Sequence, residues 1–419
     1  MRYIFTPPCC LLLVIGSMLC ACSPTSQSPP EAAALPVGTW RATLAMQGQE
    51  LPFLLELEGN AVTGYEAYLR NGEEMILIDS VVVSGDSVRL PMPVFDTEII
   101  GQIRGDKWEG VWRKNYVADY ALPFAATHGE RYRFTKDASE TPADFAGRWA
   151  VQFADDTLRA VGEFTQNGAQ LAGSFLTSLG DYRYLAGNAD GRRLMLSTFD
   201  GEHAFLFHAT LQEDGTLRGD FWSGRSYHTT WTATRDEDAT LTDASKLTYL
   251  KEGYDRLAFT FPNLDGEPVS LSDPAYQNKV VLVQLFGTWC PNCLDETRYL
   301  TQWYDAHRDQ DVAVVALAYE QKDNFDYAAA RVRKLVDKLD VHYDFLIAGT
   351  ADKAAASRTL PMLNRIMSFP TLIVLDRNHR VHHIHTGFSG PGTGEHYETF
   401  VQEFEVMMEE LLEGKEVDS

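Results

Sequence analysis

The stretch "FGTWCPNCLDE" at residues 286–296 sets Cys290 and Cys293 two residues apart, directly after the apolar run "VVLVQL". Such a pair can clip a metal, staple a turn, or cycle between dithiol and disulfide. The cysteine inventory helps to separate these. The chain has six: Cys9, Cys10, Cys20, Cys22, Cys290 and Cys293. A structural zinc site takes about four ligands, and no second pair stands outside the N-terminal segment. A staple across so small a loop constrains the unfolded chain little. Redox chemistry remains. The thiolate is the reactive form of a cysteine. At a helix start, unpaired backbone N–H groups and the positive end of the dipole lower the pKa of Cys290. Pro291 suits the first helical position, whose N–H lacks a helical partner. Cys293, one turn on, is close enough to resolve a mixed disulfide formed at Cys290.

The elements that must hold this pair are legible from residue 255 on. "KVVLVQLFG" reads as a strand buried on both faces of a largely parallel sheet. A helix runs from Pro291 through "NCLDETRYLTQWYDAHRD". Strand "DVAVVALAYE", helix "FDYAAARVRKLVDKLD" and strand "HYDFLIAG" follow. A short helical piece precedes "SFPTLIVLDRNHRVHHIHTG", a strand pair with a turn, and "GEHYETFVQEFEVMMEELLEG" is an amphipathic helix. "RLAFTFPNLDG" is expected to be an edge strand and turn.

"GTWCPNC", followed by a proline before a strand in "SFPTLIVLD", resembles the thioredoxin-like fold, and the extra helix and strand at 323–348 resemble the TlpA/ResA group of exported thiol–disulfide oxidoreductases. The resemblance covers 255–415. It implies a sheet with flanking helices, a cis Pro370 beside the disulfide, and a bend that exposes the Phe369 backbone to a partner strand. Trp289 is expected beside an exposed Cys290 sulfur. In ResA-like proteins a Glu three residues after the second cysteine assists proton transfer, which gives Glu296 that role, against a plain solvent-facing Glu. Asp295 is expected at the surface. No cofactor is implied. The neutral Asn292 between the cysteines leans toward a reductant of protein disulfides, because a cation there would stabilise the thiolate and make the centre more oxidising. A reductant in an oxidising compartment needs a membrane electron donor. A thiol peroxidase fits poorly, since Val283 and Gly287 stand where its Pro and Thr belong. Leu294 after Cys293 excludes a haem-attachment motif. His383 and His385 can share a strand face, but His382 points away and His379 lies in a turn, so no metal is expected.

The rest of the chain sets the context. Of 419 residues, 59 are acidic and 36 basic, and the net charge of −23 excludes nucleic acid as a partner. Residues 1–21 read as a lipoprotein signal peptide, with Arg2 and an apolar run too short to span a bilayer. "LCAC" then marks Cys22 for acylation, and 22–35 is a Pro/Ser-rich tether. Ser23 permits outer-membrane sorting, so the protein is expected in the bacterial cell envelope, lipid-anchored and facing the periplasm. Its partners are protein thiols or disulfides.

Between tether and redox unit the chain repeats itself. Gly38 and Trp40 match Gly147 and Trp149 at an offset of 109, as do Gly59 and Gly168, Gly64 and Gly173, and Gly110 and Gly219. A gap of five then aligns 86–96 on 190–200. Both copies, 36–137 and 143–236, read as short alternating strands broken by Gly-Asp, Asn-Gly and Asp-Gly turns. The expected fold is thus two tandem antiparallel all-β units, each a barrel or sandwich with aromatic core plugs, followed by an α/β thioredoxin-like domain. The competing reading is a lipoprotein binding module in which the β units hold a ligand or partner.

Overall fold

The computed structural model describes Met1 and residues 35–414. The signal peptide after Met1, most of the tether and Cys22 lie outside the described residues. Residues 38–128 form a nine-stranded antiparallel sheet, and residues 147–235 form a second one. Each is wrapped around its own aromatic side chains. Trp40, Trp108 and Trp112 are fully buried in the first, as are Trp149, Trp231, Phe175 and Phe207 in the second. In the second, Phe207 stacks between Phe175 and Phe221, at 4.4 and 4.2 Å. These rings occupy the interior where a ligand would sit.

Local geometry repeats with the sequence. Trp40 donates its indole N–H to Pro36 O at 3.1 Å, and Trp149 donates to Phe145 O at 3.0 Å, four residues back in both cases. Gly38 and Gly147 hold φ of 113° and 103°, which a side chain rarely adopts.

The two sheets close differently. In the second, strand Ala160–Asn167 pairs with Gln170–Thr177 as well as with Gly147–Phe153, so the sheet closes into a barrel. There, strand Leu185–Asp190 bridges Gln170–Thr177 and Arg193–Phe199. In the first, the matching stretch is broken in two. Glu74–Ile78 pairs only with Gly64–Asn71, and Val82–Ser84 only with Ser87–Pro91. The five additional residues of the first copy fall at this break, and the first sheet stays a half-barrel.

The C-terminal sheet has five strands in the order Asp344–Thr350, Val312–Glu320, Val280–Phe286, Thr371–Leu375, Val381–Thr386. The first three are parallel and the last two antiparallel. Every residue of Val280–Phe286 and Val312–Glu320 is buried, as an apolar run covered on both faces requires. The helices are α1 (Pro291–His307), α2 (Phe325–Leu339), α3 (Lys353–Thr359) and α4 (Glu395–Leu412). Tyr299 and Trp303 of α1 pack edge-on against Phe404 of α4. The stretch expected as an edge strand and turn is a short hairpin, Thr260–Pro262 with Pro268–Ser270, which meets the edge strand Asp344–Thr350 through the bridge between Asn263 and Leu346. Helix α2 docks at the break of the half-barrel: Lys338 meets Asp79, Tyr327 donates to Asp96, and Lys334 donates to Met92 O.

Candidate redox site

The apolar strand Val280–Phe286 delivers the chain to Gly287, and α1 begins at Pro291. Cys290 is the N-cap residue: it is extended, and its sulfur accepts from the backbone N–H of Cys293 at 3.2 Å. The two cysteines form a disulfide with Cα atoms 5.2 Å apart. Cys293 is fully buried. Cys290 is 6% exposed, less than the open sulfur expected from sequence. Its Sγ lies 3.4 Å from Phe369 O, and the Phe369–Pro370 peptide bond is cis. Trp289 stands edge-on to Phe369 and donates its N–H to Tyr319 O at 2.9 Å, which fixes the indole on the sheet side of the loop.

Glu296 is fully buried on α1, one turn beyond Cys293, so the solvent-facing alternative is excluded. One carboxyl oxygen accepts from the Gln284 amide at 2.8 Å, and the other has no hydrogen-bond partner among the described residues. Burial pushes the Glu296 pKa up to about 8, and the Gln284 bond only partly opposes that. A neutral acid therefore sits behind the inner cysteine at pH 7. Gln284 also accepts from Thr297 Oγ1 at 3.2 Å.

Two groups outside the sequence-derived set belong to the same architecture. Glu320, at the end of a strand otherwise buried and apolar, accepts from Thr288 N at 2.8 Å and Thr288 Oγ1 at 2.9 Å. It thereby anchors the loop that carries Trp289 and Cys290. A carboxylate ending such a strand is the signal that could have found it, as is the single polar residue, Gln284, in the run "VVLVQLF". Arg183 comes from the second barrel. It donates to Pro291 O at 3.1 Å and pairs with Asp295, Glu74 and Asp200. Burial works against its charge, but the three carboxylates outweigh that and hold it protonated. Asp295 is therefore not a surface residue: it is 9% exposed because a distant strand brings Arg183 onto it.

The histidines behave as strand residues. His383 and His385 face one side with rings 6.2 Å apart, and burial lowers both pKa values, that of His385 to about 4. His382 is exposed, and His379 bonds Tyr276 O at 2.9 Å. Among the described residues no group of three or more His, Cys, Asp or Glu is set to hold a metal ion.

Residues 251–400 match the Redoxin family. The thioredoxin-like protein YneN of Bacillus subtilis is 28% identical over 138 residues, which is 33% of this chain and 73% of that protein. The thiol–disulfide oxidoreductase ResA of Bacillus cereus is 23% identical over 137 residues, 33% of this chain and 70% of ResA. Among solved structures, a thiol–disulfide oxidoreductase from Bacteroides fragilis aligns with 36% of this chain and 99% of its own, at 16% identity and a TM-score of 0.29. The disulfide at the head of α1, the strand order behind it, the Redoxin match and the two sequence relatives agree: the C-terminal part of the chain is a thioredoxin-like Redoxin domain with thiol–disulfide oxidoreductase chemistry.

Proposed function

We propose that this protein is a lipid-anchored reductant of protein disulfides, acylated at Cys22, facing the periplasm and recharged by a membrane electron donor. The observation that carries the redox role is the pair itself, with Cys290 at the N-terminus of α1 against Phe369 O and the buried acid Glu296 behind Cys293. In the reduced enzyme the Cys290 thiolate attacks one sulfur of a partner disulfide. The Cys290–partner bond forms, and the partner's other sulfur leaves as thiolate. The Cys293 thiol then gives its proton to the Glu296 carboxylate and its sulfur attacks Cys290, so that the Cys290–partner bond breaks and the partner's sulfur leaves as thiolate, protonated from solvent. The enzyme ends as disulfide and the partner as dithiol, two electrons richer. On recharging, Glu296 in its neutral form returns a proton to Cys293. Trp289, Phe369 and Pro370 form the shelf on which the partner segment lies.

The direction is supported by the surroundings of the CxxC turn. Asn292 is neutral and its amide is committed to Asp181 O and Phe388 O. Arg183, the cation that reaches Pro291 O, is outnumbered by the carboxylates around it. A field of this sign does not favour the thiolate, hence not the reduced form. The test is the reduction potential of the Cys290–Cys293 couple. A value near or below about −270 mV supports a reductant, and one near about −120 mV reverses the direction. Absence of a reversible two-electron couple would remove the redox role. Acylation is tested by fatty-acid labelling of the wild type against Cys22→Ala.

A further inference from the structure

The strip of surface beside Cys290 is not open to solvent: the chain's own second barrel lies on it. The turn between strands Gln170–Thr177 and Gly180–Asp181 reaches across the domain boundary. Ser368 Oγ, next to the Phe369–Pro370 bond, donates to Leu179 O at 2.6 Å. Asn292, between the two cysteines, donates to Asp181 O at 3.2 Å. Gly390 N donates to the Asp181 carboxylate at 2.6 Å. Gly387 admits the turn only because it lacks a side chain, since a Cβ there would fall 2.6 Å from Leu179 C and 2.8 Å from Gly180 N. Arg183 closes the arrangement through Pro291 O and Asp295 on α1.

Two of these contacts use backbone carbonyls of the turn, Leu179 O and Asp181 O, to satisfy side-chain donors on Ser368 and Asn292 that flank the disulfide. A partner polypeptide lying along Phe369 and Pro370 needs the same ground. We propose that residues 177–183 of the second barrel are a built-in occupant of the partner's place, and that Arg183 is the latch that holds them there. This rests on the reading of Phe369–Pro370 as the partner's shelf. The two occupants exclude each other, so the apparent affinity for a polypeptide substrate is reduced by the fraction of molecules in which the turn is lifted. A small disulfide that needs no shelf is affected less. The turn also describes its competitor: a short segment that presents backbone carbonyls to Ser368 and Asn292 and a small residue to Gly387.

The test uses the full chain carrying Cys293→Ser, which stops at the mixed disulfide. A nine-residue peptide with one cysteine, activated as its thionitrobenzoate disulfide, is trapped on Cys290, and amide exchange is followed. Exchange in 177–184 is expected to rise about tenfold or more on trapping, while strand Tyr227–Arg235 of the same barrel stays protected. Adding Arg183→Gln is expected to raise the ratio of the peptide trapping rate to the methyl-disulfide rate about tenfold, a ratio in which any change at Cys290 itself cancels. If 177–184 stays protected with peptide bound, the occupant is overturned. If exchange rises but Arg183→Gln leaves that ratio unchanged, the latch is overturned. If Cys290 traps neither peptide nor small disulfide, the exchange chemistry itself fails and this inference falls with it.

Discussion

Glu296 carries its proton at neutral pH because burial raises its pKa to about 8, against 4.5 for an exposed Glu. Between these values the folded chain binds more protons than the unfolded one. The stabilisation is therefore complete below pH 4.5 and is lost as pH rises through about 8. The slope from this one group reaches about 1.4 kcal/mol per pH unit. Glu296→Gln keeps the shape and removes the titration, so urea midpoints measured across this window are expected to show a flatter pH dependence than the wild type. An unchanged slope would mean that Glu296 is already ionised in the folded protein.

The elements of the two β units meet at glycines placed where backbones touch. A Cβ on Gly110 would lie 2.1 Å from Ile100 O, and one on Gly219 would lie 2.2 Å from His208 O. Both neighbours are backbone atoms of a paired strand and cannot swing aside. Gly110→Ala and Gly219→Ala are each expected to lose about 1–3 kcal/mol through overpacking, read as lower urea midpoints at unchanged m. Matching losses in the two copies would follow from their matching geometry. A loss confined to Gly219 would mean that the half-barrel relaxes at its break.

Across the whole molecule the barrels are joined by a buried cation, Arg133, that has no carboxylate partner among the described residues. Arg133 donates to Arg70 O at 2.6 Å in the first sheet, and to Ser197 O at 2.8 Å and Ser197 Oγ at 3.0 Å in the second. Burial lowers its pKa to about 9, so it stays charged at neutral pH. Phe199 of the second barrel completes the contact, tilted against Phe53 at 4.6 Å and edge-on to Trp112 at 5.2 Å. Arg133→Met would leave the carbonyls unpaired in the dry interface. A loss of about 2–3 kcal/mol is expected, with the two β units unfolding in separate calorimetric transitions where the wild type is expected to show one. If the transition stays single and its midpoint holds, Arg133 does not join the barrels. Helix α2, through Lys338 and Asp79, and Arg183, through Asp295, tie the redox domain to the same body.

The sequence by itself determined what depends on neighbours in the chain. The strand before Cys290, the helix from Pro291 and the proline before Thr371 are local patterns of periodicity and capping, and all were readable. So was the duplication, because the turn glycines of a β unit recur at fixed spacing. Only the tertiary structure decided the rest. Asp295 looked exposed because its partner Arg183 lies 112 residues away, and burial of a charge depends on what docks against it. Covering of the Cys290 surface follows from the same docking. Whether a strand has one neighbour or two is a long-range matter as well. Strand Leu185–Asp190 closes its barrel by pairing on both edges, while its counterpart is split by a short insertion and leaves the first sheet open.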